Sequence, residues 1–163
     1  MLFRSEILRS LPAQVIVTQV VRDREIVSLQ RLSEETCEAA NQFEAAIDLG
    51  LLLVEDFAND REVETFVNYT SVLGDDGESA TCAIAVHRQW AMATDDRKAI
   101  SFFQREAPQL QILSSLDIIK HWSELTNAAP GELRRVLSNI RTRGRYAPHR
   151  SHPLLAWWQA AIE

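Results

Sequence analysis

Residues 73–99 read LGDDGESATCAIAVHRQWAMATDDRKA and place a turn, a helix, a strand and two acids in succession. The GDDG turn precedes ESATCAIAVHRQ, whose small side chains predict a helix that packs closely on a sheet. WAMATDD then predicts a strand whose last residues are polar. A helix followed directly by such a strand is typical of α/β proteins, in which helices cover a parallel sheet. The segment therefore predicts an α/β fold with acids at the carboxyl end of one strand.

The rest of the chain continues this alternation of helices and strands. Further strands are predicted in the runs AQVIVTQVV, LLLVEDF and LQILSSL, at residues 13–21, 51–57 and 110–116. Helices are predicted over residues 4–11, 20–32, 33–43, 61–73, 97–107, 117–127 and 130–144. Ser33 is a candidate helix cap, Asn59 or Asp60 can cap the helix over residues 61–73, and Pro130 fits the first position of a helix. In the helix over residues 61–73, apolar side chains recur at helical spacing, namely Val63, Phe66, Val67 and Leu73. This order of elements predicts a mostly parallel sheet with helices on both faces.

The composition is that of an ordinary globular protein. The chain has 163 residues, of which 46% are apolar and 25% are charged. No apolar run approaches the roughly 20 residues that span a bilayer, and charges interrupt the N-terminal stretch in which a signal peptide needs an apolar core. Two cysteines, Cys37 and Cys82, are too few for a disulfide framework, and Cys82 is predicted to be a buried thiol. We therefore expect a cytoplasmic protein.

Charge is unevenly distributed along a chain whose net charge is −6. Acidic residues concentrate in the segments EETCEAANQFE, VEDFANDREVE and GDDGE. Between residues 134 and 150 the chain has basic residues and no acid, namely Arg134, Arg135, Arg141, Arg143, Arg145 and Arg150. One interpretation is that this segment binds a polyanion, and the other is that it forms a solvated helix face.

Acidic residues follow the predicted strands at the points where these strands end. Asp23 and Glu25 come after VIVTQVV, Asp95 and Asp96 come after WAMAT, and Glu78 begins the helix that leads into that last strand. In parallel sheets, ligands bind beyond the carboxyl ends of the strands. Carboxylates crowded there repel one another unless a cation neutralises them, and oxygen-only ligands favour Mg²⁺ or Mn²⁺. Such an ion can hold a phosphodiester and lower the pKa of an attacking water.

Each of these acids also has a purely structural interpretation. Asp95 or Asp96 can cap the helix that starts near residue 97. Asp75 and Asp76 are the expected residues of a turn and a cap. Glu78 in a first helical turn can simply complement the helix dipole. The joint placement of the acids, rather than any one of them, therefore favours a metal site.

These segments resemble PIN domains, a family of metal-dependent ribonucleases that includes toxins of toxin–antitoxin pairs. Residues 73–99 resemble the family's Gly-Glu helix start, alanine-rich helix, strand and Thr-Asp-Asp end. VIVTQVVRDREIVSL and LQILSSLDIIKHWSEL resemble its second strand and its final strand and helix, so that the resemblance covers roughly residues 4–125. It implies a three-layer α/β/α domain over residues 1–126. Residues 127–163 would then form a C-terminal helical extension packed on it, similar to one found in a branch of the family.

The resemblance also implies the residues of an active site. Glu78 matches the family's central-helix acid, Asp95 matches the Asp after the later strand, and Asp96 is a neighbour that assists. The remaining acid corresponds to Glu25 or to Asp23, with Glu25 aligning more naturally. The implied activity is that of a metal-dependent endoribonuclease that uses Mg²⁺ or Mn²⁺. Its partners would be an RNA substrate and an antitoxin protein, and the RNA-binding residues would be Arg141, Arg143 and Arg145.

The sequence departs from the family at its start. The family's first strand, which ends in a metal-binding Asp, has no counterpart, since the chain begins with MLFRSEILRSL. A fold without this strand would leave two neighbouring strands with unpaired backbone groups, each of which costs about 1–3 kcal/mol when buried. Three explanations stay open: a start codon placed too late, a loss of activity, or a strand supplied by another chain.

Two other functions are compatible with parts of the sequence. A degenerate PIN-like module would bind a protein or RNA partner without catalysis, and the absence of the first Asp supports it. Trp157 and Trp158 would then anchor a partner or a homodimer, although such a pair more often packs a C-terminal helix on the core. An aspartyl phosphatase is less compatible, because Asp95, Asp96 and Lys98 stand in the wrong order in TDDRK.

Overall fold

The chain divides into two compact units. The computed structural model describes the backbone of residues 2–30 and 34–163, and the side chains of residues 5–24 and 40–163. The first unit combines Met1–Pro12 with Ser115–Glu163, and the second is Ala13–Ser114. The units are defined by packing alone, so the domain boundary predicted after residue 126 stays a prediction. Ser33, the predicted cap, lies outside the described residues.

Helices and strands alternate along most of the chain, as the sequence predicts. In chain order they are α1 (Leu2–Ser10), β1 (Val15–Thr18), α2 (Gln19–Gln30), α3 (Glu34–Asp48), β2 (Leu52–Glu55), α4 (Asp60–Leu73), α5 (Asp76–Arg88), β3 (Met92–Ala93), α6 (Arg97–Glu106), β4 (Ile112–Leu113), α7 (Ser115–Leu125), α8 (Pro130–Thr142) and α9 (Leu155–Ile162). None of the helices in the described part of the chain has the length and apolar character needed to cross a bilayer.

The strands of the second unit pair in parallel. β1 pairs with β2, where Val15 lies opposite Leu52, and β3 pairs with β4, where Met92 lies opposite Ile112. Parallel neighbours need a crossover connection, which α2 and α3 provide for the first pair and α6 for the second. The predicted parallel direction is therefore confirmed. Within residues 2–30 and 34–163, the strands form two sheets of two strands each rather than one sheet, and the three-layer arrangement stays a prediction.

The strands are shorter than their apolar runs predict. β1 ends at Thr18, whose hydroxyl accepts a hydrogen bond from the N–H of Val21 (3.2 Å), and α2 begins at once. A threonine hydroxyl that binds the backbone in this way competes with strand pairing. Val15, Ile16 and Val17 are half-buried rather than buried. The run AQVIVTQVV is thus a four-residue strand followed by the first turn of a helix.

Local capping residues determine where several helices begin and end. The side chain of Asn59 accepts a hydrogen bond from the N–H of Glu62 (3.1 Å), so Asn59 rather than Asp60 caps α4. Gly74 ends that helix with φ of 73°, in the left-handed region that glycine tolerates best. Pro130 is the first residue of α8, as predicted. The signals for these helix ends were therefore present in the local sequence.

The apolar face predicted for α4 is only partly buried. Leu73 is buried, and Phe66 is half-buried with its ring centroid 5.1 Å from that of Phe57. Val63 and Val67, which share the helical spacing, are 41% and 59% exposed. Helical periodicity in the sequence therefore overstates how much of this helix packs against the rest of the unit.

The core of the second unit lies around α5 and α6. It consists of the buried residues Leu73, Cys82, Ala85, Met92, Ala99, Phe102, Phe103 and Ala107. Cys82 is fully buried, and its Sγ lies 3.5 Å from the Sδ of Met92, which confirms the predicted buried thiol. The small side chains of α5 let it contact α2, α4 and α6 as well as β1 and β3. This helix is therefore the centre of the unit.

The first unit has its own core, formed by α1, α7, α8 and α9. Its buried residues are Leu116, Ile119, Trp122, Val136, Leu137 and Trp158. The ring of Tyr146 lies edge-on to that of Trp158, with centroids 6.0 Å apart. Trp157 is half-buried and packs against the same cluster. The C-terminal tryptophans thus take part in the packing of α9 on this core.

A buried ion pair joins α4 to the C-terminal end of α5. Glu62 is 2% exposed, and its two carboxylate oxygens accept hydrogen bonds from Nε and Nη2 of Arg88 at 2.9 and 3.0 Å. Arg88 also donates to Oε2 of Glu55 (2.8 Å) and to the carbonyl of Asp56 (2.7 Å). The hydrogen bond from Arg88 is the largest cause of a lowered pKa of Glu62. The pair therefore stabilises the fold with Glu62 ionised.

We expect Glu62→Gln to lower the free energy of unfolding by about 3 kcal/mol, because the half-buried guanidinium of Arg88 loses its main counter-charge. Since the pKa of Glu62 is lowered in the folded state, the ionised group contributes stability that is lost as the pH falls below its ordinary value of 4.5. The difference between variant and wild type should therefore shrink in acid. Urea unfolding across this pH range measures both effects.

The matched control is Glu64→Gln, the same change at an exposed position of the same helix. It should alter stability by less than about 0.5 kcal/mol. Equal stability losses in the two variants would show that the ion pair contributes nothing of its own.

Candidate active site

The first turn of α5 positions Glu78. The carboxylate of Asp75 accepts a hydrogen bond from the N–H of Glu78 (2.9 Å), so Asp75 is the N-cap of the helix. The helix begins at Asp76, two residues earlier than the sequence indicates. The capping interpretation is thus confirmed for Asp75, whereas Asp76 is the first residue of the helix. The cap holds the backbone of Glu78, whose side chain is half-buried.

The segment after β3 places Thr94, Asp95 and Asp96 one after another. The N–H of Thr94 donates to the carbonyl of Leu113 (3.0 Å), so the pairing of β3 with β4 continues to this residue. Asp96 caps α6, since its Oδ1 accepts a hydrogen bond from the N–H of Ala99 (2.7 Å). The capping interpretation is therefore confirmed for Asp96. Asp95 is half-buried between the two.

The structure brings Glu78 and the acids after β3 together. Oγ1 of Thr94 donates a hydrogen bond to Oε1 of Glu78 at 3.0 Å, which joins the start of α5 to the end of β3. Burial raises the pKa of Glu78, the hydrogen bond from Thr94 opposes this, and nearby negative charges raise it further, namely those of Asp96, Asp75 and Asp95. Carboxylates from two separate elements thus interact at one edge, where the sequence predicted them.

The helix that follows β1 also lies against the start of α5. Arg24 of α2 forms ion pairs with Asp76 and, at 3.6 Å, with Asp75. Asp23 is exposed, and its carboxylate accepts a hydrogen bond from the side chain of Gln19 (2.6 Å). The side chain of Glu25 lies outside the described residues, so the choice between Glu25 and Asp23 stays open.

Sequence reasoning missed the role of Arg24. The segment RDRE does carry a signal for it, because a basic residue stands between the two candidate acids. Its guanidinium lies at the rim of the acidic region and offsets part of the negative charge of the first turn of α5. Arg24 therefore links α2 to the helix that carries Glu78.

The donors fit a hydrated ion better than a fully protein-coordinated one. Among the side chains that the structure describes, no three His, Cys, Asp or Glu residues come together as a metal-binding group. Mg²⁺ usually keeps several waters and takes only one or two protein carboxylates. Glu78 and Asp95 supply such oxygens, whereas Asp96 already uses one oxygen as a helix cap. The chemistry of this donor set is thus compatible with Mg²⁺ or Mn²⁺.

The three arginines predicted to bind RNA belong to the first unit. Arg141 lies in the last turn of α8, Arg143 is its C-cap, and Arg145 has φ of 48° in the loop that follows. All three side chains are exposed. Exposure is compatible with both interpretations of the segment, a polyanion-binding surface and a solvated face.

Comparisons with known proteins do not place the chain in a family. No protein-family model matches it, and no match was found among curated proteins or solved structures. The resemblance to PIN domains therefore depends on the sequence segments described above. The geometry around Glu78 is a separate observation and does not depend on that resemblance.

We expect Glu78→Gln to stabilise the metal-free protein at neutral pH. A folded-state pKa above the ordinary 4.5 means that stability is lost as the pH rises through the folded pKa, since the ionised group is disfavoured in the folded protein. Glutamine removes the charge and keeps an oxygen for Thr94. The gain should vanish as the pH falls toward 4.5, the ordinary value.

Thermal unfolding in the presence of a chelator measures this effect. Glu64→Gln, at an exposed position, is again the control and should give no comparable gain at neutral pH. A variant Glu78→Gln that is less stable than wild type at neutral pH would contradict the electrostatic description of the site.

Proposed function

We propose that the chain is a PIN-like, metal-dependent endoribonuclease that hydrolyses phosphodiester bonds of RNA with Mg²⁺ or Mn²⁺. The observation that supports it best is the position of Glu78, half-buried beside Asp95 and Asp96 at the carboxyl end of β3. A carboxylate kept among like charges costs stability, and such arrangements concentrate at functional sites. Capping accounts for Asp96 but not for the burial of Glu78.

In this proposal the protein's own residues have separate roles. Glu78 and Asp95 hold the ion, with Glu25 or Asp23 as a further ligand and Asp96 as an assisting neighbour. When bound, the ion supplies Lewis-acid chemistry that binds the phosphodiester and lowers the pKa of a water. The exposed guanidinium groups of Arg141, Arg143 and Arg145 bind the phosphates of RNA.

The division of the strands into two parallel pairs is compatible with the strands that flank the first strand of a PIN-like sheet. In a three-layer α/β/α domain of this kind, the first strand lies in the middle of the sheet and pairs with a strand on each side. Without it, the strands on its two sides form separate pairs. The two pairs β1–β2 and β3–β4 have that form. If the chain is the toxin of a toxin–antitoxin pair, its protein partner is an antitoxin. A second copy of the chain is the other partner that this proposal includes.

The second candidate function is a degenerate PIN-like module that binds a protein or RNA partner without catalysis. The observation that favours it is that the side chains described in the structure include no group of three metal ligands. Calorimetric titration with Mn²⁺ separates the two candidates. A nuclease site should bind the ion, whereas the degenerate module should not.

We expect the full chain to cleave single-stranded RNA in the presence of Mn²⁺. Asp95→Asn and Glu78→Gln should each lower the cleavage rate on the order of 100-fold or more, because each removes a charge that holds the ion. Gel analysis of a labelled oligonucleotide measures the rate. Since Glu78→Gln should leave the protein at least as stable as wild type, its loss of activity would not reflect unfolding.

Glu64→Gln serves as the control for these variants and should cleave RNA at the wild-type rate. Cleavage that persists unchanged in Asp95→Asn would rule out this site. The absence of cleavage by wild type, together with the absence of Mn²⁺ binding, would favour the degenerate module.

We expect substitution of Arg141, Arg143 and Arg145 by glutamine to weaken RNA binding and to reduce its salt dependence. For single strands, each phosphate contact contributes about 0.7 to the slope of log K against log salt, so the slope should fall by about 2. Fluorescence anisotropy at several salt concentrations gives this slope. The control carries the same charge change at the exposed residues Arg9, Arg61 and Arg105 and should keep the wild-type slope.

A further inference from the structure

One hydroxyl connects two of the carboxylate residues in the candidate active site. Thr94 is 9% exposed, so water has little access to its side chain. Its Oγ1 lies 3.0 Å from the backbone nitrogen of Asp96 and 3.0 Å from Oε1 of Glu78. The hydroxyl therefore stands between the cap of α6 and the side chain that extends from the first turn of α5.

The direction of these two hydrogen bonds follows from the chemistry of the groups. A backbone N–H can only donate, so the contact with Asp96 uses a lone pair of the Thr94 oxygen. The single hydrogen of the hydroxyl is then directed to Glu78, whose Oε1 must be the acceptor. Thr94 is thus the donor, and Oε1 of Glu78 is the oxygen that it holds.

The backbone and the side chain of Thr94 are both restrained. Its N–H pairs with the carbonyl of Leu113 (3.0 Å), which continues the pairing of β3 with β4. A β-branched side chain has few rotamers available to it. The backbone of Glu78 is held as well, because its N–H donates a hydrogen bond to Oδ1 of Asp75 (2.9 Å). Glu78 is consequently anchored at its backbone by one residue and at its carboxylate by another.

We propose that Thr94 is a positioning residue of the candidate metal site, which holds Oε1 of Glu78 and leaves Oε2 of Glu78 to bind the divalent ion. The inference rests on the proposed function, because it assigns Thr94 a role in that same site. Thr94 acts through Glu78 and is not itself a ligand. Groups that orient metal ligands commonly affect metal affinity by about 10- to 100-fold.

The test compares Mn²⁺ binding by the full chain in two variants, measured by calorimetry without RNA. Thr94→Val keeps the branched shape and removes the hydroxyl, and it should weaken Mn²⁺ binding by about tenfold or more. Thr94→Ser keeps the hydroxyl and should bind within about threefold of wild type, a difference well below that range. Rescue by serine is not expected if the residue serves only to fill space.

A matched control removes a different threonine hydroxyl from the same unit. Thr70→Val deletes a hydrogen bond from Oγ1 to the carbonyl of Phe66 (2.9 Å) in α4 and should leave Mn²⁺ affinity unchanged. Thermal unfolding with and without Mn²⁺ separates general destabilisation from a weaker site. In Thr94→Val the upward shift caused by Mn²⁺ should be reduced, whereas Thr70→Val should keep the full shift.

Each outcome distinguishes this inference from the proposed function. If wild type does not bind Mn²⁺, the proposed function fails and the role of Thr94 with it. If wild type binds and Thr94→Val binds equally well, only the positioning role is overturned. Equal weakening in Thr94→Val and Thr94→Ser would also overturn it. Should Thr94→Val fail to fold, Thr94→Ala replaces it with the same expected loss of affinity.

Discussion

Glu78 holds a negative charge in a half-buried position, and the acids around it make that charge more costly. Two groups offset part of this cost: the hydroxyl of Thr94 donates a hydrogen bond to the carboxylate, and Arg24 forms ion pairs with Asp75 and Asp76 at the nearby start of α5. α5, the end of β3 and the start of α6 all meet at this point. The geometry of the second unit therefore depends on how the crowded carboxylates are held.

The two ends of α5 show opposite electrostatic environments. At its C-terminal end, Arg88 binds Glu62 with two hydrogen bonds and lowers the pKa of that carboxyl. At its N-terminal end, burial and neighbouring acids raise the pKa of Glu78. The ion pair with Arg88 is sufficient to explain the lowered pKa of Glu62, whereas a carboxyl whose pKa is raised by burial among other acids is an arrangement common at functional sites. Glu62 therefore stabilises the fold, and Glu78 is the candidate for chemistry.

The division of the strands bears directly on the proposed nuclease. The carboxylates meet at the end of β3, which is paired with β4, so their juxtaposition does not require pairing between β1 and β3. The further ligand is expected from the helix that follows β1, so it depends on how α2 lies relative to α5. The Arg24 ion pairs show that α2 lies against the start of α5, and the proposal takes its further ligand, Glu25 or Asp23, from this helix. The nuclease and the degenerate module thus differ in one local property, which is whether these carboxylates bind a divalent ion.

Local sequence was sufficient to predict the elements whose causes are local. The caps at Asn59 and Asp75, the helix start at Pro130 and the buried thiol of Cys82 depend on neighbours within a few residues or on the residue's own polarity. The parallel direction of the strands and the approach of Glu78 to the acids after β3 followed from the general topology of alternating helices and strands.

Other features depend on contacts between residues that are far apart in the sequence. The ion pairs of Arg24, the Thr94–Glu78 hydrogen bond, the pairing into two sheets and the exposure of Val63 and Val67 are of this kind. Apolar periodicity marks which residues can be buried, but burial also requires a surface to pack against. A hydrogen bond likewise requires two groups within about 3 Å, and no pattern along the chain specifies that separation.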